Sequence, residues 1–166
     1  KLKKACLMKS FELKGLENFL KKCENLENEQ KQIILKEIIA ETLYKESKEN
    51  LEKEQDSNGK KWAPLKQSTL KSRKAQKIMH TKKLFATGSM QSSLHSGVEN
   101  DRAFVALNAT YKGFAYARVH QFGSKNVIAR PFLPIDENLN INKRVARAME
   151  EETKDMLWTL FKQTLK

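Results

Sequence analysis

The chain is short of cysteine and proline, and one long stretch of it has no acidic residue at all. There are two cysteines and three prolines in 166 residues. Cys6 and Cys23 form no CxxC pair, and His80, His95 and His120 are scattered, so no zinc or redox signature is present. The cysteines read as small hydrophobes in a reducing cytoplasm, with a single disulfide as the alternative. No apolar run approaches the roughly 20 residues of a membrane span, and no membrane partner is expected. Lys1 to Lys4 is basic, but no continuous apolar core follows, so a signal peptide is not expected. The first residue is not Met, which leaves room for a longer native N-terminus. GxSxG and HExxH are both missing, which removes the common hydrolase and metalloprotease signatures.

What is present is charge, and it is unevenly placed. Hydrophobic residues make up 39% and charged residues 31%, a composition that suits a soluble, helix-leaning protein. The length fits one domain, residues 1–166. The formal net charge is +12. Residues 1–56 balance 12 Lys against 12 acids, and residues 136–166 carry six of each sign. Residues 57–98 carry nine Lys or Arg and no acid, so the excess lies in the middle. A positive middle points to a polyanion or an acidic protein surface as neighbour, against a merely solvated face.

Along the chain, Ala5, Leu7, Phe11 and Leu13 alternate as in a strand, and Leu16, Phe19, Leu20, Cys23 and Leu26 follow helical spacing. Ile34, Ile38, Ile39, Thr42 and Leu43 predict a second helix from about Glu27–Glu29 to Lys53. Asp56-Ser57-Asn58-Gly59 is a turn signal. Its ligand count is too low for an EF-hand, and cations follow it. Trp62 must be tucked against the body, and Pro64 excludes a helix interior. Ser68 or Thr69 is expected to cap a short basic helix to about Ile78. Met90 and Leu94 suggest one further helical turn. Ser93–Val98 and Ala103–Asn108 predict a hairpin turning at Glu99–Arg102. Tyr116–Phe122 predicts a short helix ended by Gly123, and Asp136 is expected to cap a long helix over roughly 137–164. The fold class expected is α+β: long N- and C-terminal helices on a small, mainly antiparallel sheet.

The densest stretch is Tyr116 to Leu133, YARVHQFGSKNVIARPFL. It poses a choice between chemistry and assembly. His120 has no Cys, Ser motif or placed carboxylate to make it catalytic, and packing is the favoured role. Arg130 before Pro131 can hold phosphate or anchor a loop on carbonyls and carboxylates, and the anchor is favoured. Nucleic-acid binding is the alternative function, through Lys60, Lys61, Lys71, Arg73, Lys74, Lys77, Lys82 and Lys83 within the basic stretch 60–83. No zinc finger, clear helix-turn-helix or RRM platform accompanies them, so sequence-specific reading is not expected.

Four ordered blocks carry a resemblance. They are Asp56-x-x-Gly59-x-x-Trp62-x-Pro64-Leu65-x-x-x-Thr69, Leu84-x-x-Thr87-Gly88-x-Met90-x-x-Ser93, Tyr116-Ala117-x-x-His120-Gln121-Phe122-Gly123, and Ala129-Arg130-Pro131-Phe132-Leu133. Together, over about residues 10–135, they resemble the phage virion morphogenesis family, which contains the tail-completion proteins of Mu-like phages. Met90 stands where the family usually has Leu, and the loop 124–128 is short. The resemblance implies a structural protein of the head-to-tail junction, not an enzyme and without a cofactor. It implies a homo-oligomeric ring, commonly six-fold, around the DNA path, with tail-tube and head-neck proteins as partners. It implies residence in the virion after synthesis in the host cytoplasm. Tyr116, His120, Gln121, Phe122, Gly123, Arg130, Pro131 and Phe132 are then expected at a subunit or partner interface. Asp56, Gly59, Trp62, Pro64, Leu65, Thr87 and Gly88 are expected to be structural.

Overall fold

A computed structural model describes residues 29–111 and 113–164. The expected first strand and first helix, with both cysteines, lie outside these residues. Helix α1 spans Glu29–Lys53, α2 Gln67–Ala75 and α3 Ser89–Ser92. Strands β1 and β2 span Leu94–Glu99 and Arg102–Leu107, and β3 and β4 span Thr110–Tyr111 and Phe114–Ala115. Helix α4 covers Tyr116–Phe122 and α5 covers Lys143–Thr164. The class is α+β as expected. Short helices also interrupt the middle, and the strands form two separate antiparallel pairs instead of one sheet.

Helix α1 buries Leu35, Ile39, Leu43, Ser47 and Leu51, one residue every four, so a single stripe faces inward. The apolar pattern finds this helix, although Leu35 is buried where Ile34 was expected. The stripe lies against the β1–β2 hairpin and against α5. Ile39 and Leu43 meet Val145 and Met149 of α5, with Ala103, Val105 and Ile141 packed on that cluster. A second cluster joins Leu51, Trp62, Leu84, Met90, Leu94, Leu107, Phe132 and Leu133. The hairpin pairs Glu99 with Arg102 across Asn100 and Asp101, whose φ values are 48° and 64°. That is the left-handed pair a two-residue turn needs, and Asn and Asp tolerate it. Lys36 of α1 pairs with Asp101 and ties the turn to the helix.

Two helix starts differ from expectation. Helix α2 begins with Lys66 at the N-cap and no side-chain cap, so Ser68 and Thr69 lie inside it. It ends by Ile78 N–H donating to Arg73 O at 2.9 Å around Lys77 at φ 59°. Asp136 does not cap α5. Its Oδ1 accepts the amides of Asn138 and Asn140, folding a tight turn. The cap is Asn142, whose Oδ1 accepts Arg144 N–H at 3.0 Å. An Asp followed by Asn at two and four residues favours the self-contained turn over a helix start.

The Asp136 turn repeats the Asp56 turn bond for bond. Asp56 Oδ1 accepts the amides of Asn58 and Lys60, and Gly59 N–H donates to Asp56 O. Leu139 N–H donates to Asp136 O in the same way, with φ 65° against 80° at Gly59. The two turns are linked: Asn142 Nδ2 donates to Asn58 Oδ1 at 2.7 Å, and Arg144 Nε donates to Ser57 O at 2.8 Å.

Candidate functional site: a braced corner and the cleft beside it

The Tyr116–Phe122 helix ends at Gly123, with φ 80° and its N–H donating to Val119 O at 2.8 Å. A Cβ there would lie 3.2 Å from Ala129 N and Val127 O, so glycine serves both the left-handed backbone and the close approach. The chain loops out through 124–128 and returns where Arg130 N–H donates to His120 O at 2.6 Å. Gln121 then fixes the returning strand. Its Oε1 accepts the amides of Phe132 and Leu133, both at 2.9 Å, and its Nε2 donates to Leu133 O and Ile135 O. One buried amide side chain thus satisfies four backbone groups of a segment whose only β contact among the described residues is the single Ile135–Ile141 bridge.

The Asp56–Leu65 block is fastened to the same strand. Trp62 Nε1 donates to Pro131 O at 2.9 Å. In the opposite direction, Arg130 donates an amino hydrogen to Pro64 O at 3.3 Å and to Ala63 O at 3.4 Å. Asn50 of α1, 1% exposed, donates to Ser57 Oγ at 2.8 Å and to Phe132 O at 3.2 Å. Sequence reasoning missed Asn50. The available signal was a polar residue on the buried stripe one helical turn beyond Ser47.

The residues expected at an interface differ in depth. Gln121, Arg130 and Phe132 are 2%, 7% and 1% exposed, and their side chains brace the interior. Arg130 is the anchor on carbonyls that its chemistry favoured. Tyr116, His120, Phe122, Gly123 and Pro131 are half-buried. Asp56 and Gly59 form the turn, Trp62 is buried, Pro64 supplies its carbonyl, and Leu65 lies at the edge of a cleft.

That cleft, about 540 Å³, is where the four sequence blocks meet. Leu65 and Thr69 come from the first block, Thr87, Gly88 and Met90 from the second, Tyr116 and His120 from the third, and Arg130 from the fourth. Gly88 at φ 81° turns the chain into α3, and Thr87 Oγ1 lies 2.7 Å from Ser89 Oγ. Tyr116 and His120 meet edge to face, with ring centroids 6.1 Å apart. No acid and no thiol lines the cleft among the described residues.

Its electrostatics are one-signed. Arg73, 9% exposed, donates to the carbonyls of His80 and Lys82, and no carboxylate pairs with it or with Arg130 among the described residues. Burial, then the Arg73 charge, pulls the Arg130 pKa down, opposed by Glu54. Burial and the Arg130 charge also hold His120 below the ordinary histidine value, favouring neutral imidazole. His120 Nδ1 and Arg130 Nε are enclosed with no protein partner. Hydroxyls and guanidiniums of this kind can hold an anion, and among the described residues no carboxylate or thiol lines the cleft beside His120.

The expected cationic surface separates into free and engaged groups. Arg73 is buried, Lys83 Nζ is 2.7 Å from Glu54 Oε2, and Lys82 Nζ sits 5.4 Å from the Phe85 ring centroid. Lys61 Nζ donates to Lys53 O at 2.7 Å. Lys60, Lys71, Lys74 and Lys77 are exposed. Sequence reasoning also missed the β3–β4 pair, whose Tyr111 and Phe114 are 68% and 59% exposed. Two-residue strands give no alternation to detect.

No helix among the described residues is long and apolar enough to cross a membrane. No curated protein and no solved structure matches the chain. The model of the phage virion morphogenesis family, however, matches it over residues 11–158, a span that holds all four blocks, the corner and the cleft, and the chain belongs to that family.

Proposed function

We propose that this chain, whose family gives it a structural role in phage virion assembly and associates it with the virion, completes the tail or neck and joins the tail to the DNA-filled head. Several copies form a ring around the DNA path, in contact with tail-tube and head-neck proteins, and no catalysis is involved. The observation that carries this reading is the convergence of the four blocks on one acid-free cleft, braced from behind by buried side chains. A braced recess lined in part by exposed Tyr111 and Ile128, with exposed Phe114 near Tyr111 in the chain, suits docking more than turnover. The test is electron microscopy of particles made without this protein. Full heads beside unattached tails are expected, and addition of the purified chain should restore joining. Normal infectious particles would overturn the reading.

The second reading, non-specific nucleic-acid binding, draws on exposed Lys71, Lys74 and Lys77 around α2. A gel shift at moderate salt separates the two. Retarded DNA that is released by added salt would favour it, and free DNA would sink it.

A further inference from the structure

The cleft holds positive charge with no carboxylate in contact with it among the described residues; Glu54 acts on Arg130 only from a distance and is itself paired with Lys83. Arg73 and Arg130 are both buried, and both donate only to backbone carbonyls. Lys66 adds a third cation at the edge, and no acid lines the wall. Buried guanidiniums without a carboxylate are costly unless an anion arrives from outside. A recess of about 540 Å³ is far too small for a duplex, but it accepts a few protein side chains.

Exposed carboxylates lie on α5, interleaved with exposed Arg147 and Lys154. Glu151, Asp155 and Trp158, spaced by four and three residues, share one face and are all exposed, with Trp158 at 58%. Glu150 is exposed beside them. Helix α5 packs on α1 through Val145 and Met149 and contributes nothing to the cleft, so the two patches are separate.

We propose that the cleft of one copy receives the Glu151–Asp155–Trp158 face of α5 from the next copy. The carboxylates meet Lys66 and the Arg73–Arg130 wall, and the indole packs on the apolar rim at Ile128, itself 44% exposed. Because donor and acceptor patches differ, the contact is head-to-tail, the type that closes into a ring when the rotation allows. This rests on the ring reading and names the interface within it.

The test uses two charge-reversed forms of the full chain. Glu151→Lys with Asp155→Lys inverts the donor face, and Lys66→Glu with Gln76→Glu inverts the cleft edge. All four positions are exposed, so melting curves should match wild type. Sedimentation is followed with concentration for each form and for their equimolar mixture. Wild type should associate, each variant alone should weaken association at least ~10-fold, and the mixture should recover it, since each variant then supplies what the other lacks. Association unaffected by either reversal, or lost in both and not recovered on mixing, overturns this interface and leaves the ring reading standing. Wild type that stays monomeric in solution and gives no homotypic cross-link in particles overturns both.

Discussion

Trp62 Nε1 donates to Pro131 O at 2.9 Å, joining positions 69 residues apart. Arg130 returns the connection to Ala63 O and Pro64 O, so two chain segments clasp each other through adjacent residues. Trp62→Phe keeps the aromatic bulk but leaves the Pro131 carbonyl without this donor. The expected loss is about 1–3 kcal/mol in denaturant unfolding. A loss below ~0.5 kcal/mol would mean water replaces the indole at no cost.

Gln121 is the tighter constraint. Replacing it with Leu strands the buried amides of Phe132 and Leu133 and the carbonyls of Leu133 and Ile135. Each buried unpaired group costs about 1–3 kcal/mol, and the four are not independent, so a loss of at least ~3 kcal/mol is expected. Gln121→Glu keeps the acceptor oxygen and loses the donor, and it faces a carboxylate toward two carbonyls. It should also destabilise, and less so in acid, where a protonated carboxyl can donate. Chemical denaturation of both variants at neutral and acid pH separates the two halves of the network.

The buried imidazole predicts a pH response. His120 lies below the ordinary histidine value of 6.5, through burial and then the Arg130 charge. The unfolded chain therefore takes up the proton first on acidification. Stability from this group is complete above the unfolded value and declines as pH falls below about 6.5, with a slope of at most one proton. Carboxylates titrate lower, so the window from about pH 6.5 to 5 isolates His120 from them. Melting temperature measured across that window should fall for wild type and less steeply for His120→Gln. Parallel slopes would assign the response to another group.

The sequence was legible where a period or a turn code was strong. Helix α1, the Asn100–Asp101 turn and the Gly123 stop all lie where spacing and turn chemistry put them. Local signals failed where two readings shared the same residues. Asp136 is a good helix cap and a good turn former, and the Asn residues at 138 and 140 decided for the turn. The eight residues expected at an interface divide by depth, which composition does not encode. Gln121 is polar and buried because four backbone groups need it, a demand visible only once the strand at 132–135 has no ladder. The cleft was equally hidden, since its walls come from segments up to 65 residues apart, from Leu65 to Arg130.

Gly59 and Gly123 provide a last, paired prediction. Both have φ 80°, which costs alanine about 1 kcal/mol at Gly59, and at Gly123 the ψ of −179° adds a combination that essentially only glycine adopts, at about 1–3 kcal/mol. Their surroundings differ. A Cβ at Gly59 would meet nothing within 4 Å, while one at Gly123 would press on the backbone at Ala129 and Val127, each 3.2 Å away. Backbone yields less readily than a side-chain tip, so Gly123→Ala should add a packing cost and lose at least ~2 kcal/mol in all. Gly59→Ala should lose only the conformational part. Unfolding of the two variants under identical conditions gives the difference directly. Equal losses would mean that the 124–128 loop shifts freely, and the cleft wall at Val127 and Ile128 would then not be the rigid surface that docking requires.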